Sequence, residues 1–317
     1  MDNLCHTLVG AALAEAGLKR RTTLGAATLM IGANLPDIDV LAVPFGYDLA
    51  FRRGLTHGLP ALLVLPLVLT GLMLAWHRVR PRRDAAPPRA GPLLLLSAVS
   101  IATHPVLDWM NTYGMRWFVP FRDGWTYGDA LFIIDPWIWI ALALGVIVSR
   151  RRRRKFLYAE HGRIWDRIPA RIALLAVAAY IVAMIAASRT ARSVVSRLLA
   201  DRGTPVQYLM VDPVPLDPFR RRIVYSDGSR YVFSTFSWRR TPWVSEEIGS
   251  IAINRDDPLA QRAASTPEGR RFLGWSRLPF FVIDRRSDSA LVHIGDARYT
   301  RGVVDSWAAV SVMVPVR

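Results

Sequence analysis

Four long apolar stretches constrain this chain most. Each approaches the about 20 apolar residues that a helix needs to cross a bilayer. Two shorter apolar pieces precede them and are marginal as full spans, so a re-entrant hairpin is the alternative for that pair. The pattern excludes a wholly soluble single domain and predicts a polytopic membrane helical bundle in residues 1–190. The four stretches are Leu59–Trp76, Pro92–Met110, Ala130–Val148 and Ala170–Ser188, and the shorter pieces are Leu4–Leu18 and Thr22–Leu35.

The remainder of the chain, residues 191–317, has a different pattern. Five short segments are rich in β-branched and aromatic residues, and turn residues such as Ser226-Asp227-Gly228 separate them. We therefore predict a mainly α membrane domain followed by a small, mainly β extramembrane domain. The predicted strands are Val206–Val211, Arg222–Tyr225, Arg230–Phe236, Phe280–Ile283 and Ala290–Ile294.

Positive charge gathers in alternate connections between the apolar stretches. The chain has 41 Lys and Arg against 25 Asp and Glu, a net charge of +16. The connections at 19–21, 78–89 and 150–167 are rich in Arg, whereas those at 52–53 and 116–122 hold few basic residues. The positive-inside rule places the basic connections in the cytoplasm, and the domain after residue 190 on the outer side. Clustered Arg beside apolar runs favours a lipid bilayer, and not nucleic acid, as the partner.

Polar residues gather at the outer end of these predicted helices. Two carboxylates follow Asn34-Leu35-Pro36, and residues two apart in extended backbone point the same way. One His precedes the Leu59–Trp76 stretch and another lies at the start of the shorter piece Leu4–Leu18. A His and an Asp four residues apart share a helix face. The candidate metal ligands are His6, Asp37, Asp39, His57, His104 and Asp108.

Imidazole nitrogens and carboxylate oxygens are suitable ligands for a divalent ion such as zinc. A bound ion lowers the pKa of its water to about 7 and yields a nucleophile at neutral pH. Each residue also has a structural interpretation, because a single His at a membrane interface is usually solvated. An Asp at a helix end near a proline, as at Asp39 and Asp135, is often a cap or turn residue.

Five motifs, in this order, resemble the YdjM-type inner-membrane metal-dependent hydrolases over roughly residues 1–240. The resemblance implies a multi-pass protein of the bacterial inner membrane, with the site and the C-terminal domain on the periplasmic side. The motifs are Met1-Asp2-Asn3-Leu4-Cys5-His6-Thr7-Leu8-Val9-Gly10, Asn34-Leu35-Pro36-Asp37-Ile38-Asp39, Arg53-Gly54-Leu55-Thr56-His57, Thr103-His104-Pro105-Val106-Leu107-Asp108 and Ile134-Asp135-Pro136-Trp137.

That family is in turn similar to the superfamily of zinc-dependent phospholipase C and single-strand nuclease, helical enzymes with clustered zinc ions. The shared order is His, Asp, His and then a His-x-x-x-Asp helix, which His6, Asp37, His57 and His104 with Asp108 meet here. The superfamily's later His and His-x-x-x-Glu helix have no counterpart after Asp108. The resemblance therefore implies one or two ions, most simply zinc.

Two hypotheses of different classes follow. The first is a membrane-bound metal-dependent hydrolase of a phosphoester or another ester, with Asp39 or Asp135 as the general base. Aromatic residues near the predicted site suit either an interfacial belt or a wall for a lipid-like substrate. The second is a non-catalytic membrane protein with a structural metal, whose β domain binds an envelope partner. A solute transporter fits less well, because the candidate ligands lie at helix ends and not at the midplane.

Overall fold

The structure, a computed structural model, describes residues 1–45, 51–81, 85–155, 165–300 and 306–316. Three Arg residues of the predicted basic connections, Arg82, Arg83 and Arg163, lie outside these residues. The chain divides into two compact units. The helical unit contains Met1–Ala42 and Arg52–Ile185, and the C-terminal unit contains Val43–Phe51 and Ala186–Arg317.

Within its described residues, the first part of the chain contains six helices. Among the described residues, α3, α4 and α6 are long and apolar enough to cross a membrane. The first two helices are short, as the sequence predicts, and a 3-10 segment follows each of them, Leu18–Arg21 and Leu35–Phe45. Their bounds are α1 Asn3–Glu15, α2 Gly25–Gly32, α3 Leu59–Val79, α4 Ala90–Trp109, α5 Pro136–Lys155 and α6 Ile168–Asp201.

The fourth predicted span, Ala130–Val148, is not confirmed. Helix α5 begins only at Pro136, because the Asp135 carboxylate accepts the backbone N–H groups of Trp137 and Ile138 and caps the helix. Proline suits the first helical position, where its missing N–H is not needed. The same helix ends in the Arg150–Lys155 run. Its apolar part is therefore shorter than a bilayer requires, and α5 is not among the candidate spans.

Two glycines allow the helices that carry the site to approach closely. A Cβ on Gly10 of α1 would lie 2.5 Å from the Leu29 carbonyl oxygen of α2. A Cβ on Gly32 of α2 would lie 2.1 Å from Ser100 Oγ of α4. Neither contact leaves room for a side chain, so small residues are required where α2 meets both neighbours.

The C-terminal unit contains two antiparallel sheets. The first has the strand order β1-β2-β3-β4 and the second β5-β6-β7. The five predicted strands are confirmed as β1, β2, β3, β5 and β6, whereas β4, β7 and two short helices were not predicted. The bounds are β1 Tyr208–Pro213, β2 Arg220–Ser226, β3 Arg230–Ser237, β4 Gly249–Ala252, α7 Pro258–Ser265, α8 Pro267–Trp275, β5 Pro279–Arg285, β6 Ser289–Asp296 and β7 Ala309–Pro315.

The first sheet has apolar residues on both faces. The last turns of α6 cover one face, where Val195 packs with Ile223 and Val232. On the other face, Val224 packs with Phe280 of the second sheet. The fold class is thus the predicted one, a helical membrane region followed by a β-sheet domain. Helix α6 runs through the domain boundary that the sequence analysis sets after residue 190, and that boundary stays a prediction.

Candidate metal centre

Four side chains of the helical unit bring one ligand atom each to a common point. The group contains Asp37, His57, His104 and Asp108, and its ligand atoms all lie within 4.8 Å of one another. The two His Nε2 atoms are 3.1 Å apart. His57 Nε2 lies 3.6 Å from both Asp37 Oδ1 and Asp108 Oδ2. His104 Nε2 lies 3.7 Å and 3.5 Å from the same two oxygens.

Five of the six separations lie near the edge length of a zinc coordination tetrahedron. With metal–ligand bonds of 2.0–2.1 Å, ligand atoms of a tetrahedral site lie about 3.3 Å apart. The five separations that involve a His Nε2 atom run from 3.1 Å to 3.7 Å, and all ligand atoms lie within 4.8 Å of one another. The expectation that His57 and His104 lie close together is confirmed, although 47 positions separate them along the chain.

Hydrogen bonds on the far side of each imidazole determine its tautomer. His104 Nδ1 lies 2.7 Å from the Ala33 carbonyl oxygen, which only accepts, so Nδ1 carries the proton. His57 Nδ1 lies 2.9 Å from the Thr56 hydroxyl and 3.4 Å from Asp39 Oδ2. The Thr56 hydroxyl itself donates to Asp39, so His57 Nδ1 is also the donor. In their neutral forms both rings therefore direct an Nε2 lone pair at the common point.

The group consequently contains four acceptors and needs a positive charge. Two lone pairs 3.1 Å apart repel each other, and two carboxylates add negative charge beside them. Burial raises the pKa of Asp37, but hydrogen bonds from the His104 and His57 imidazoles, and the charge of a protonated His104, hold the pKa below its ordinary value. A proton on an imidazole or a metal cation would supply the charge, and a cation reaches all four ligand atoms at once.

Local structure places these side chains. His104 and Asp108 lie one turn apart near the end of α4, and both are fully buried. His57 lies in a tight turn before α3, where its backbone N–H donates to the Gly54 carbonyl. Asp37 lies in the 3-10 segment after α2, and its backbone N–H donates to the Asn34 carbonyl.

His6 lies beside the group but is not a member. Its ring stacks on His104 with the centroids 3.8 Å apart, and its Nε2 lies 3.3 Å from Asp108 Oδ1. The Met1 amino group contacts the same oxygen. Asp108 thus contacts the group through Oδ2 and His6 through Oδ1. Buried His6 Nδ1 has no hydrogen-bond partner among the described residues.

Asp39 contacts His57 from the side opposite to the group. Its Oδ2 also accepts the backbone N–H of Arg53. If this backbone were extended, as predicted from the sequence, Asp37 and Asp39 would point the same way. The segment is instead a 3-10 helix with three residues per turn, so side chains two apart differ in direction by about 240°. The structure therefore brings Asp37 into the group and leaves Asp39 outside it.

Asp135 acts as a helix cap and is not a member of the group. Besides the two backbone N–H groups, its carboxylate accepts the Tyr180 hydroxyl at 3.0 Å. Burial raises the pKa of Asp135, although the Tyr180 and backbone hydrogen bonds oppose the shift. The contacts of Asp135 thus match its interpretation as a helix-capping residue.

Two arginines beside the group were not assigned to the site from the sequence. Buried Arg53 has its Nε 2.9 Å from Asp108 Oδ2 and donates a hydrogen bond to Asn111 Oδ1. Arg52, which is partly exposed, lies 3.3 Å from Asp37 Oδ1. In the sequence, both arginines contributed only to the charge of a predicted outer connection between helices. The signal was their place directly before the Gly54–His57 motif.

These features define a class of protein: a membrane protein with buried His and Asp side chains that could hold a metal ion. The family model of the YdjM inner membrane protein matches residues 1–193, and the chain belongs to this family. The match ends before β1, whereas the motifs had indicated a resemblance to about residue 240. No curated protein and no solved structure matches the chain.

Proposed function

We propose that this protein is a membrane-bound metal-dependent hydrolase that cleaves a phosphoester or another ester. The observation that carries the proposal is the convergence of two imidazole lone pairs and two carboxylates at zinc-ligand spacing. Family membership supports the inner membrane as its location. Zinc is the proposed ion, because mixed nitrogen and oxygen ligands at tetrahedral spacing suit it.

The members of the group differ in exposure, and we assign their roles accordingly. The side chains of His57, His104 and Asp108 are at most 1% exposed, whereas that of Asp37 is 10% exposed. Catalytic zinc sites have three protein ligands and an open position, whereas structural sites have four protein ligands. In this proposal His57, His104 and Asp108 would hold the ion, and Asp37 would face the water.

When bound, the ion would supply a water of lowered pKa and would polarise the ester. Asp37 would accept the proton as the water oxygen forms its bond to phosphorus or carbon. The bond to the leaving alcohol oxygen breaks, and Asp37 returns the proton to that oxygen. Asp39 would act as a positioning residue that holds the His57 proton on Nδ1. Asp135, which caps α5, is not given a role in this assignment.

The arginines suit an anionic substrate. Three carboxylates, Asp37, Asp39 and Asp108, lie with Arg52 and Arg53. The protein groups therefore sum to one negative charge with neutral imidazoles and a neutral Met1 amino group, whose pKa burial lowers. A divalent ion would change that sum to one positive charge. Partly exposed Arg52 is within reach of an anionic group beside Asp37. This balance favours a phosphoester over a neutral ester.

The test compares three variants for metal content and for hydrolysis of bis(p-nitrophenyl) phosphate. We expect about one zinc per chain in the unchanged protein and in His293→Ala, whose His lies in β6 of the C-terminal unit. His104→Ala should lose both metal and turnover. Asp37→Asn should keep the metal and lose at least 100-fold of turnover, since a general base contributes about 10²–10⁴-fold.

The same experiment separates this proposal from the non-catalytic alternative. If Asp37→Asn loses the metal and no ester is cleaved, the site has four protein ligands, as structural zinc sites do. The protein would then be a binding protein, whose β domain recognises an envelope partner. If the unchanged protein carries no stoichiometric metal, both versions are contradicted.

We further propose that the metal centre and the C-terminal domain lie on the outer side of the membrane, as the basic connections predict. Single cysteines replace exposed Arg80 and partly exposed Asp227 in a Cys5→Ser background, which removes the one native thiol. A membrane-impermeant thiol reagent on intact spheroplasts should label Asp227→Cys and not Arg80→Cys. The reverse pattern would invert the topology.

A further inference from the structure

A groove of about 510 Å³ opens beside the candidate metal centre. It lies among α1, α2 and the 3-10 segment Leu35–Phe45. Its volume falls within the range of small-molecule sites, about 300–1,000 Å³. Asp37 lines this groove and is also the most exposed member of the metal-binding group. The groove therefore reaches one member of the candidate metal-binding group.

The lining of this groove is mostly apolar and open to the surroundings. Ile31, Ile38 and Leu41 are 46%, 49% and 64% exposed, respectively. In a soluble protein such side chains would be an unfavourable surface beside a catalytic centre. In an inner membrane protein they are suited to contact with lipid chains.

The groove has few polar groups, and two of its polar side chains, Asn34 and Thr7, donate to partners within the lining, whereas the Asn3 side chain is exposed at the surface. The Asn34 amide donates to Thr7 Oγ1 and to the Met30 carbonyl, and the Thr7 hydroxyl donates to the Asn3 carbonyl. Asn34 Oδ1 lacks a partner but is buried beneath the surface. Asp37 is the one charged side chain of the lining. A sugar, which needs many hydrogen-bonding partners, does not suit this lining, whereas a hydrocarbon chain does.

We propose that this groove binds the hydrocarbon chain of an amphiphilic substrate whose phosphoester lies at the metal centre beside Asp37. The inference rests on the proposed function for the head group, and on the groove itself for the chain. The substrate class is therefore a lipid-like phosphoester that approaches from the bilayer. Arg52, 3.3 Å from Asp37 Oδ1, would face the anionic head group at the end of the groove.

The test measures binding, and so it does not depend on turnover. Radiolabelled alkylphosphonates from ethyl to octyl are dialysed to equilibrium against the zinc-loaded protein in nanodiscs, and empty nanodiscs give the background. In the unchanged protein, affinity should rise by up to about fourfold per methylene as the chain enters the groove.

Two variants alter the groove, and a third is their matched control. Ile31→Trp fills the groove and Ile31→Asn makes it polar, and both should flatten the dependence on chain length. Binding of ethylphosphonate and the metal content should stay unchanged in both. Ile147→Trp in α5 replaces the same residue type at 45% exposure outside the groove, and it should keep the full dependence.

The outcomes separate this inference from the proposed function. The groove proposal is wrong if the affinity of the Ile31 variants rises with alkyl chain length as steeply as that of Ile147→Trp. It is also wrong if the affinity of the unchanged protein does not rise with chain length at all. Hydrolysis of bis(p-nitrophenyl) phosphate, which has no hydrocarbon chain, tests the hydrolase proposal separately. Loss of chain dependence in the Ile31 variants alone would support the groove even without turnover.

Discussion

Both units of this protein bury charged side chains, but they do so in opposite ways. In the C-terminal unit, Asp296 and Arg298 are each 0% exposed and pair at 2.9 Å. The Asp296 oxygens also accept the Ser276 hydroxyl and the Arg277 backbone N–H. In the helical unit, His57, His104 and Asp108 are equally buried, yet their ligand atoms converge as acceptors on one point.

The difference distinguishes a structural charge from a binding site. A buried carboxylate whose oxygens are all hydrogen-bonded to a guanidinium and to N–H donors is complete without a ligand. The group in the helical unit also has guanidinium partners, Arg53 at Asp108 Oδ2 and Arg52 at Asp37 Oδ1. Its two His Nε2 atoms, however, face each other as acceptors at 3.1 Å, and a cation completes them. Burial alone would have ranked the two sites alike. The balance of donors and acceptors separates them.

The largest expected effect is on the structural pair. Asp296→Asn leaves Arg298 buried with its charge uncompensated, which costs about 3–5 kcal/mol. Hydrogen exchange measured by mass spectrometry should show loss of protection in peptides from β5 and β6, while peptides from α4 stay protected. Unchanged exchange in β6 would contradict the structural role of the pair. The variant should keep its metal.

The matched change in the helical unit should give the reverse result. Asp108→Asn replaces a carboxylate ligand and should lower zinc affinity by more than the about 100-fold that outer-shell changes reach. Competition with a fluorescent chelator measures the affinity. Protection of β6 should be unchanged in this variant. Retained affinity would show that Asp108 does not bind the ion.

A smaller effect is expected from the carboxylate behind His57. Asp39→Asn keeps the shape but weakens the partner of His57 Nδ1, so zinc affinity should fall about 10–100-fold. The control is Asp123→Asn, whose carboxylate is 74% exposed and pairs with Arg116. That variant should stay within about twofold of the unchanged protein. Complete loss of metal in Asp39→Asn would instead favour Asp39 as a ligand.

The smallest effect concerns the start of α5. Asp135→Ala removes the helix cap and should cost about 1 kcal/mol, whereas Asp135→Asn retains capping ability and should cost less. Thermal unfolding can be followed with a thiol-reactive dye, because buried Cys5 is the one cysteine of the chain. Both variants should keep metal and turnover. A 100-fold loss of turnover in Asp135→Asn would restore Asp135 as a general base.

Much of the architecture could be predicted from local patterns. Three of the four predicted spans and five of the seven strands follow from apolar runs and from β-branched segments, which are properties of contiguous residues. The predicted start of the fourth span at Ala130 was wrong, because Asp135 caps a helix that begins at Pro136, inside the apolar run. The short strand β4 and the helices α7 and α8 lacked comparably strong patterns.

The sequence by itself determined the membrane class, the family and the order of the candidate ligands, because these depend on residue type and on spacing along the chain. Only the tertiary structure decided which ligands meet. The 3-10 turn after α2 separates Asp37 from Asp39 by about 240°, and Gly10 and Gly32 bring α2 against α1 and α4. The distance between two side chains depends on how distant segments pack, which no local pattern contains.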